Sequence, residues 1–474
     1  MAGGTIKCLV LVLAISLLAT DVLGRQEVEE KRHDTKHRHA YAAMMYMGTP
    51  RDYEFYVALR VMMRSLVKFQ IQADRVVIAS SDVPAQWVQA MEKEDGLKVV
   101  TVQNLKNPYE FQGGFNPRFK LTMNKLYAWN LLDYDRVVML DSDNLFLQNT
   151  DELFQCGQFC AVFINPCIFH TGLFVLQPSK DVFDNMLHEL EIGRSNPDGA
   201  DQGFLVSYFP DLLDRPMFYP PANGTKVNGT YRLPLGYQMD ASYYYLKLRW
   251  NVPCGPNSVV TFPSAPWFKP WYWWSWPVLP LGLSWHEQRR NNLGYASELP
   301  LVLIEAALYI SIIIVTKLVK PACSKLCYNR RPEKWSAFMQ GMLKVLVLWS
   351  MLATYTVPFF LIPRTVHPLM GWPLYLLGTL SLAIVVASFF VLPSLAVLTT
   401  WIGLAGSLFV MAYPWYSNGI VRALTLFGYA FCAAPFVWAS MVKIMDSLQT
   451  HLEREPFFPR LGEVAQGTEF SKLY

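Results

Sequence analysis

From Pro300 onward the composition turns abruptly apolar, and five long hydrophobic segments follow, at 301–319, 345–362, 372–392, 395–413 and 423–442. Each approaches the ~20 residues that a helix needs to cross a bilayer core, so this part of the chain is expected to be a bundle of five transmembrane helices. The loop after the first segment carries Lys317, Lys320, Lys325, Arg330, Arg331 and Lys334, whereas the next connection offers only Arg364 and His367. Clustered cations stay on the cytosolic side. With an odd number of spans, the N-terminal part then faces the lumen and Tyr474 the cytosol. The opposite end of the chain agrees. Lys7 precedes an apolar run at 8–20, and Val22-Leu23-Gly24 supplies small residues for cleavage, which reads as a signal peptide or an uncleaved signal anchor over 1–24.

A luminal setting organises the next observations. Sequons begin at Asn223 and Asn228 in a Pro/Gly-rich stretch. Cys156, Cys160, Cys167 and Cys254 would share an oxidising compartment and form two disulfides in a pairing left open; without paired Cys-X-X-Cys knuckles they are poor zinc ligands. Residues 25–40 mix both charges and read as a solvated linker. Cys323 and Cys327, beside the membrane, are candidates for palmitoylation or remain free thiols. Mean hydropathy is +0.19 and the formal net charge +4; a membrane-embedded protein is expected, with no nucleic-acid partner.

Between Tyr41 and about Trp250, strand-like and helical runs alternate at 40–47, 54–69, 75–79, 85–94 and 98–102, predicting an α/β domain with a mainly parallel sheet. Residues 119–131 carry apolar side chains near helical spacing. The strand Tyr134-Asp-Arg-Val-Val-Met-Leu140 then runs into Asp141-Ser142-Asp143. Strand alternation puts two carboxylates one residue apart on the same face, and such sheets bind ligands at the carboxyl ends of their strands. A divalent cation there would suit a departing nucleoside diphosphate.

Several motifs resemble those of glycosyltransferase family 8, the glycogenin-like retaining enzymes. They are Asn124-Lys-Leu-Tyr-Ala-Trp129, the Asp-X-Asp strand, Asp151-Glu-Leu-Phe154, His170-Thr-Gly-Leu-Phe-Val-Leu-Gln-Pro-Ser179 and Asp198-Gly-Ala-Asp-Gln-Gly203, followed by Leu233-Pro-Leu-Gly-Tyr237 and Lys269-Pro-Trp271. The pattern covers about 41–271. With Lys269-Pro-Trp-Tyr-Trp-Trp-Ser-Trp-Pro-Val-Leu-Pro-Leu281 leading into five spans, the chain is similar to the plant inositol phosphorylceramide glucuronosyltransferases. That resemblance implies transfer of glucuronic acid from UDP-glucuronate to a sphingolipid inositol, with Mn2+, in the Golgi membrane.

It also implies roles for residues. Asp141 and Asp143 would hold manganese, Asp141 also meeting the ribose, with Ser142 between them in the donor site. Lys125 and Lys269 would meet the donor phosphates. Gly48 and Thr49 would open the uridine site, with Tyr53 stacking on uracil. Thr171, Gly172 and Asp198 would line the donor site, and Asp201 and Gln202 would lie at the transferred sugar as the catalytic candidates. Two departures stand out: Thr261 occupies the place of the family's third metal ligand, a histidine, and His170 that of an asparagine. A water, another acid or His286 is then left to complete the metal shell. A cationic His170, or Arg118, would pair with the glucuronate carboxylate.

Six of the 15 Trp fall between Trp267 and Trp285, which predicts an interfacial aromatic segment over 272–300. The expected architecture is therefore α/β: a luminal Rossmann-like GT-A transferase domain (41–271), the aromatic segment, an α-helical multi-pass membrane domain (301–445) and a cytosolic tail (446–474). Competing readings are a transferase using another UDP-sugar or a polysaccharide acceptor, and a non-catalytic transporter or scaffold.

Overall fold

The computed structural model describes residues 39–241, 258–262, 265–278, 281–328, 337–412 and 419–453. The signal region, most of the charged linker, Cys254 and residues 454–474 of the tail lie outside them. The chain divides into two compact units, Met1–Tyr295 and Ala296–Tyr474.

The first unit contains strands β1 (His39–Met45), β2 (Asp74–Ser80), β3 (Lys98–Val102), β4 (Arg136–Leu140), β5 (Asn144–Phe146), β6 (Phe159–Val162), β7 (His170–Leu176), β8 (Thr230–Leu233), β9 (Met239–Asp240) and β10 (Val259–Thr261). His39 and Ala40, assigned to the linker from sequence, open β1. The main sheet runs β3-β2-β1-β4-β7-β6-β8, and a small sheet runs β5-β10-β9. Strands β1 to β4 are mutually parallel where they pair, but β7 is antiparallel to both β4 and β6. The sheet is thus mainly parallel, as β6 and β8 also pair in parallel, with β7 as its antiparallel strand. Only residues 163–169 join β6 to β7, too few for the dozen or so that a parallel crossover requires.

Alternation along the central strands feeds two cores. Tyr41, Ala43, Val138 and Leu140 face one, Ala40, Ala42, Val137 and Met139 the other. Both faces are covered by helices, as this Rossmann-like architecture demands. In the second core, residues 119–131 form a 3-10 helix, Thr122–Asn130, rather than an α-helix. Its buried residues Met123, Leu126 and Trp129 recur every third position, the period of that tighter helix.

The aromatic segment departs from expectation. Trp271, Trp273 and Trp285 are fully buried, and Trp271, Tyr272 and Trp285 join the core that covers helix Asp52–Lys68. Trp267, by contrast, is 59% exposed. Indole count alone does not distinguish a core from a membrane interface, since both reward a large apolar ring. Cys156 and Cys160 form a disulfide, and Cys167 is free and exposed. Asn223 and Asn228 lie exposed in their loop.

The second unit holds five helices long and apolar enough to cross a membrane, at Leu299–Val319, Gly341–Leu361, Pro368–Phe389, Ser394–Ala412 and Val421–Gln449. Polar anchors cross between them: Ser381 Oγ donates to the Tyr309 carbonyl at 3.1 Å, and Trp401 Nε1 to the Leu376 carbonyl at 3.0 Å. Gly378 is needed for close approach, because a Cβ there would lie 2.8 Å from the Tyr309 ring.

Asp95 joins two helices of the first unit. Its buried carboxylate takes Arg60 Nε and Nη2 at 2.5 and 2.9 Å and Arg64 Nε at 2.5 Å. Removing one partner of a buried charge cluster leaves the others uncompensated. Asp95→Ala is therefore expected to destabilise the detergent-solubilised full chain by about 3–5 kcal/mol, read as a fall in unfolding midpoint; an unchanged midpoint would contradict the role given to this cluster.

Candidate active site

The turn Asp141-Ser142-Asp143 joins the carboxyl end of β4 to β5, linking the large sheet to the small one. Its shape is held from below. Asp141 N–H donates to the Gly172 carbonyl of β7 at 2.8 Å, and Asn144 Nδ2 donates to that carbonyl at 2.6 Å and to the Asp141 carbonyl at 3.0 Å. On the far side, Phe262 N–H donates to the Asp143 carbonyl at 3.3 Å. The residues around β10 therefore sit beside the turn as the sequence motifs imply.

Two ammonium groups grip the acids. Lys125, only 2% exposed, lies 2.9 Å from Asp141 Oδ1 and 2.6 Å from Asp201 Oδ2, and donates to the Thr171 carbonyl at 3.1 Å. Lys269 Nζ lies 2.5 Å from Asp143 Oδ2. Asp201 opens helix Asp201–Tyr208, where the helix N-terminus favours negative charge, and it also accepts from Thr171 Oγ1 at 2.8 Å. Six residues predicted from sequence (Lys125, Asp141, Asp143, Thr171, Asp201 and Lys269) are thus joined in two ion-paired groups at the same turn.

The electrostatics follow from this crowding. Burial raises the Asp141 carboxyl above its ordinary range, opposed by Lys125 and reinforced by Asp143 and Asp201. Burial by itself would depress the Lys125 ammonium, but Asp141 and Asp201 hold it above its usual value. Tyr46, just beyond β1, is raised first by burial and then by the charges of Asp201 and Asp141. Tyr46 belongs to the site's surroundings, though no motif marked it; its one signal was its place at a strand's carboxyl end.

The remaining predicted residues divide. Gly48 adopts φ +128, and Asp52 ties the turn by accepting from Gly48 N–H at 2.8 Å and from Thr49 N–H and Oγ1 at 2.9 and 2.6 Å. Tyr53 presents a ring 43% exposed, within 6.3 Å of Trp87. Ser142 and Gln202 are partly exposed and make no side-chain hydrogen bond among the described residues, which leaves both available to a ligand. Asp198 Oδ1 accepts from Ala200 and Gly203 N–H at 2.9 and 3.1 Å, shaping the entry to the Asp201 helix. Arg118 is exposed, with its guanidinium over the Phe119 ring, and no described contact brings it to the acids.

His170, at the start of β7, is held by two contacts. Its Nδ1 accepts from Gly172 N–H at 3.0 Å and lies 2.9 Å from Gln238 Nε2. A backbone N–H can only donate, so in this contact Nδ1 is the acceptor.

The acids also bear on the implied metal. Asp143 Oδ1 is buried without a hydrogen-bond partner, and Asp141 and Asp143 already hold cationic groups where a metal would add charge. Two carboxylates fit a hard cation whose other ligands are waters and substrate phosphates. Among the described residues no third His, Cys, Asp or Glu completes a protein-only shell. His286 is fully buried, its Nδ1 2.6 Å from the Tyr295 hydroxyl, and Thr261 is buried in β10.

A Rossmann-like sheet ending in an Asp-X-Asp turn flanked by two lysines is the kind of site a nucleotide-sugar glycosyltransferase uses. Residues 297–457 match the family described as PGSIP7 C-terminal domain. Across 456 residues, 96% of this chain and 92% of its relative, the sequence is 63% identical to "Putative glucuronosyltransferase PGSIP8" of Arabidopsis thaliana; PGSIP7 from the same plant is 64% identical over 440 residues, 93% of this chain and 89% of that one. The Arabidopsis "Inositol phosphorylceramide glucuronosyltransferase 1" is 31% identical over 256 residues, covering 53% of this chain and 45% of its own. The chain belongs to the PGSIP7 and PGSIP8 family.

Lys125 offers the sharpest structural test. Lys125→Met would leave the buried Asp201 and the half-buried Asp141 without their shared cation, with an expected loss of about 3 kcal/mol in stability and of nucleotide binding. A midpoint of unfolding equal to that of the unmodified chain would refute the paired arrangement.

Proposed function

We propose that this protein transfers glucuronic acid from UDP-glucuronate to the inositol headgroup of inositol phosphorylceramide, with retention at the anomeric carbon, from the luminal face of the Golgi membrane. The observation that carries the reading is the acid turn with Lys125 on Asp141 and Asp201 and Lys269 on Asp143. The named activity of the PGSIP relatives favours the glucuronate donor, and the five apolar helices favour a lipid acceptor over a soluble one.

Manganese held by Asp141 and Asp143 would supply Lewis-acid charge to the donor diphosphate. The chain's own groups do the rest. Lys269 and Lys125 place two fixed cations beside the diphosphate, where they favour the charge that develops as it leaves. Because both ammonium groups are already oriented by carboxylates, little reorganisation accompanies that step. Asp201, fixed by Lys125 and the Thr171 hydroxyl, sits with Gln202 at the sugar, where carboxylate and amide hold its hydroxyls. The Tyr53 ring and the Gly48-Thr49 turn form the uridine end.

The test is direct. Membranes containing the protein, supplied with manganese, inositol phosphorylceramide and a panel of UDP-sugars, should yield a lipid heavier by one glucuronate. Asp143→Ala should lower that yield at least a hundredfold, about 2.7 kcal/mol or more in transition-state terms, and chelation of divalent ions should abolish it. Transfer of a different sugar would overturn the donor assignment, and full activity in Asp143→Ala the assignment of the site.

A further inference from the structure

Gln238 lies at the start of the small sheet, just before β9, and is completely buried. It is 68 residues from His170 in sequence, yet its amide nitrogen is 2.9 Å from His170 Nδ1. Gly172 makes this contact possible: a Cβ there would stand 2.4 Å from Gln238 Nε2 and 2.7 Å from His170 Cε1. The same glycine's carbonyl receives Asp141 N–H and the Asn144 amide. One backbone unit therefore ties together the acid turn, the imidazole and the buried amide.

We infer that Gln238 is a positioning residue, which holds His170 as a neutral Nε2–H donor to the transferred sugar and so helps to set donor preference. This rests on the donor-site reading above. The assignment follows from the donors present. Gly172 N–H makes Nδ1 an acceptor, so the Gln238 amide must turn its NH2 toward the ring. Its Oε1 then has no hydrogen-bond partner. Two donors on one nitrogen fix both the tautomer and the plane of the imidazole. The partly exposed ring then presents a single N–H edge, suited to a sugar hydroxyl or carboxylate oxygen. A neutral donor discriminates by geometry, and an acceptor-rich sugar such as a uronate offers it more oxygen than a hexose does.

The full-length protein, labelled with nitrogen-15 histidine and studied in detergent, would show the tautomer in long-range proton–nitrogen spectra, with His170→Asn identifying the signal. A bare Nδ1 and a protonated Nε2 are expected, and Gln238→Glu, of the same shape, should move the proton onto Nδ1. In parallel, His170→Ala and Gln238→Leu should each lower kcat/KM for the donor sugar about tenfold, as loss of one oriented hydrogen bond would, mainly through KM. The double variant should be no worse than either single one. A protonated Nδ1 in the unmodified chain, or losses that multiply in the double variant, would overturn the inference. Absence of transfer from every UDP-sugar would instead defeat the proposed function, while the spectra would still decide the tautomer.

Discussion

The ammonium of Lys125 is the fixed point of the catalytic unit. A lysine with 2% of its side chain exposed survives burial only because two carboxylates and a carbonyl surround it. Those partners come from three separate pieces of chain: the end of β4, the start of β7 and the first turn of the Asp201 helix. The lysine itself rides on the 3-10 helix packed beneath the sheet. Packing of Met123, Leu126 and Trp129 in the core thus sets the position of a charge at the site, and the charge in turn sets the acids.

That coupling explains why the site is preorganised. The carboxyl end of a parallel pair of strands is the natural place for a diphosphate, but acids alone would repel it. Here each acid is matched by a lysine, and the buried Asp143 Oδ1 still has no partner. One further positive group at that oxygen would balance the acids, as the proposed metal-assisted site requires. Asn144 and Gly172 fix the backbone beneath it, so the turn cannot slacken when the charges rearrange.

Much of this was legible in sequence because it depends on local pattern. The Asp-X-Asp turn follows from a buried strand that ends in acids, and the five apolar helices follow from length and hydropathy alone. Tertiary choices were not legible. The direction of β7 depends on the short link after β6, and the 3-10 form of Thr122–Asn130 on the threefold spacing of Met123, Leu126 and Trp129, which overlaps with an α-helical pattern. Trp271 and Trp285 satisfied the rule for an interfacial belt yet pack in the core of the first unit, because burial is decided by what surrounds a ring. The surroundings of His170 were beyond any motif, since Gly172 and the distant Gln238 supply its contacts.

As proposed, this acid and lysine cluster takes a nucleoside diphosphate together with a divalent metal. Calorimetric titration of UDP into the full-length protein in detergent, with and without manganese, tests it most directly. Binding that requires the cation and disappears in Asp141→Asn is the predicted result; UDP binding of equal strength without any divalent ion, or undiminished in that variant, would contradict it.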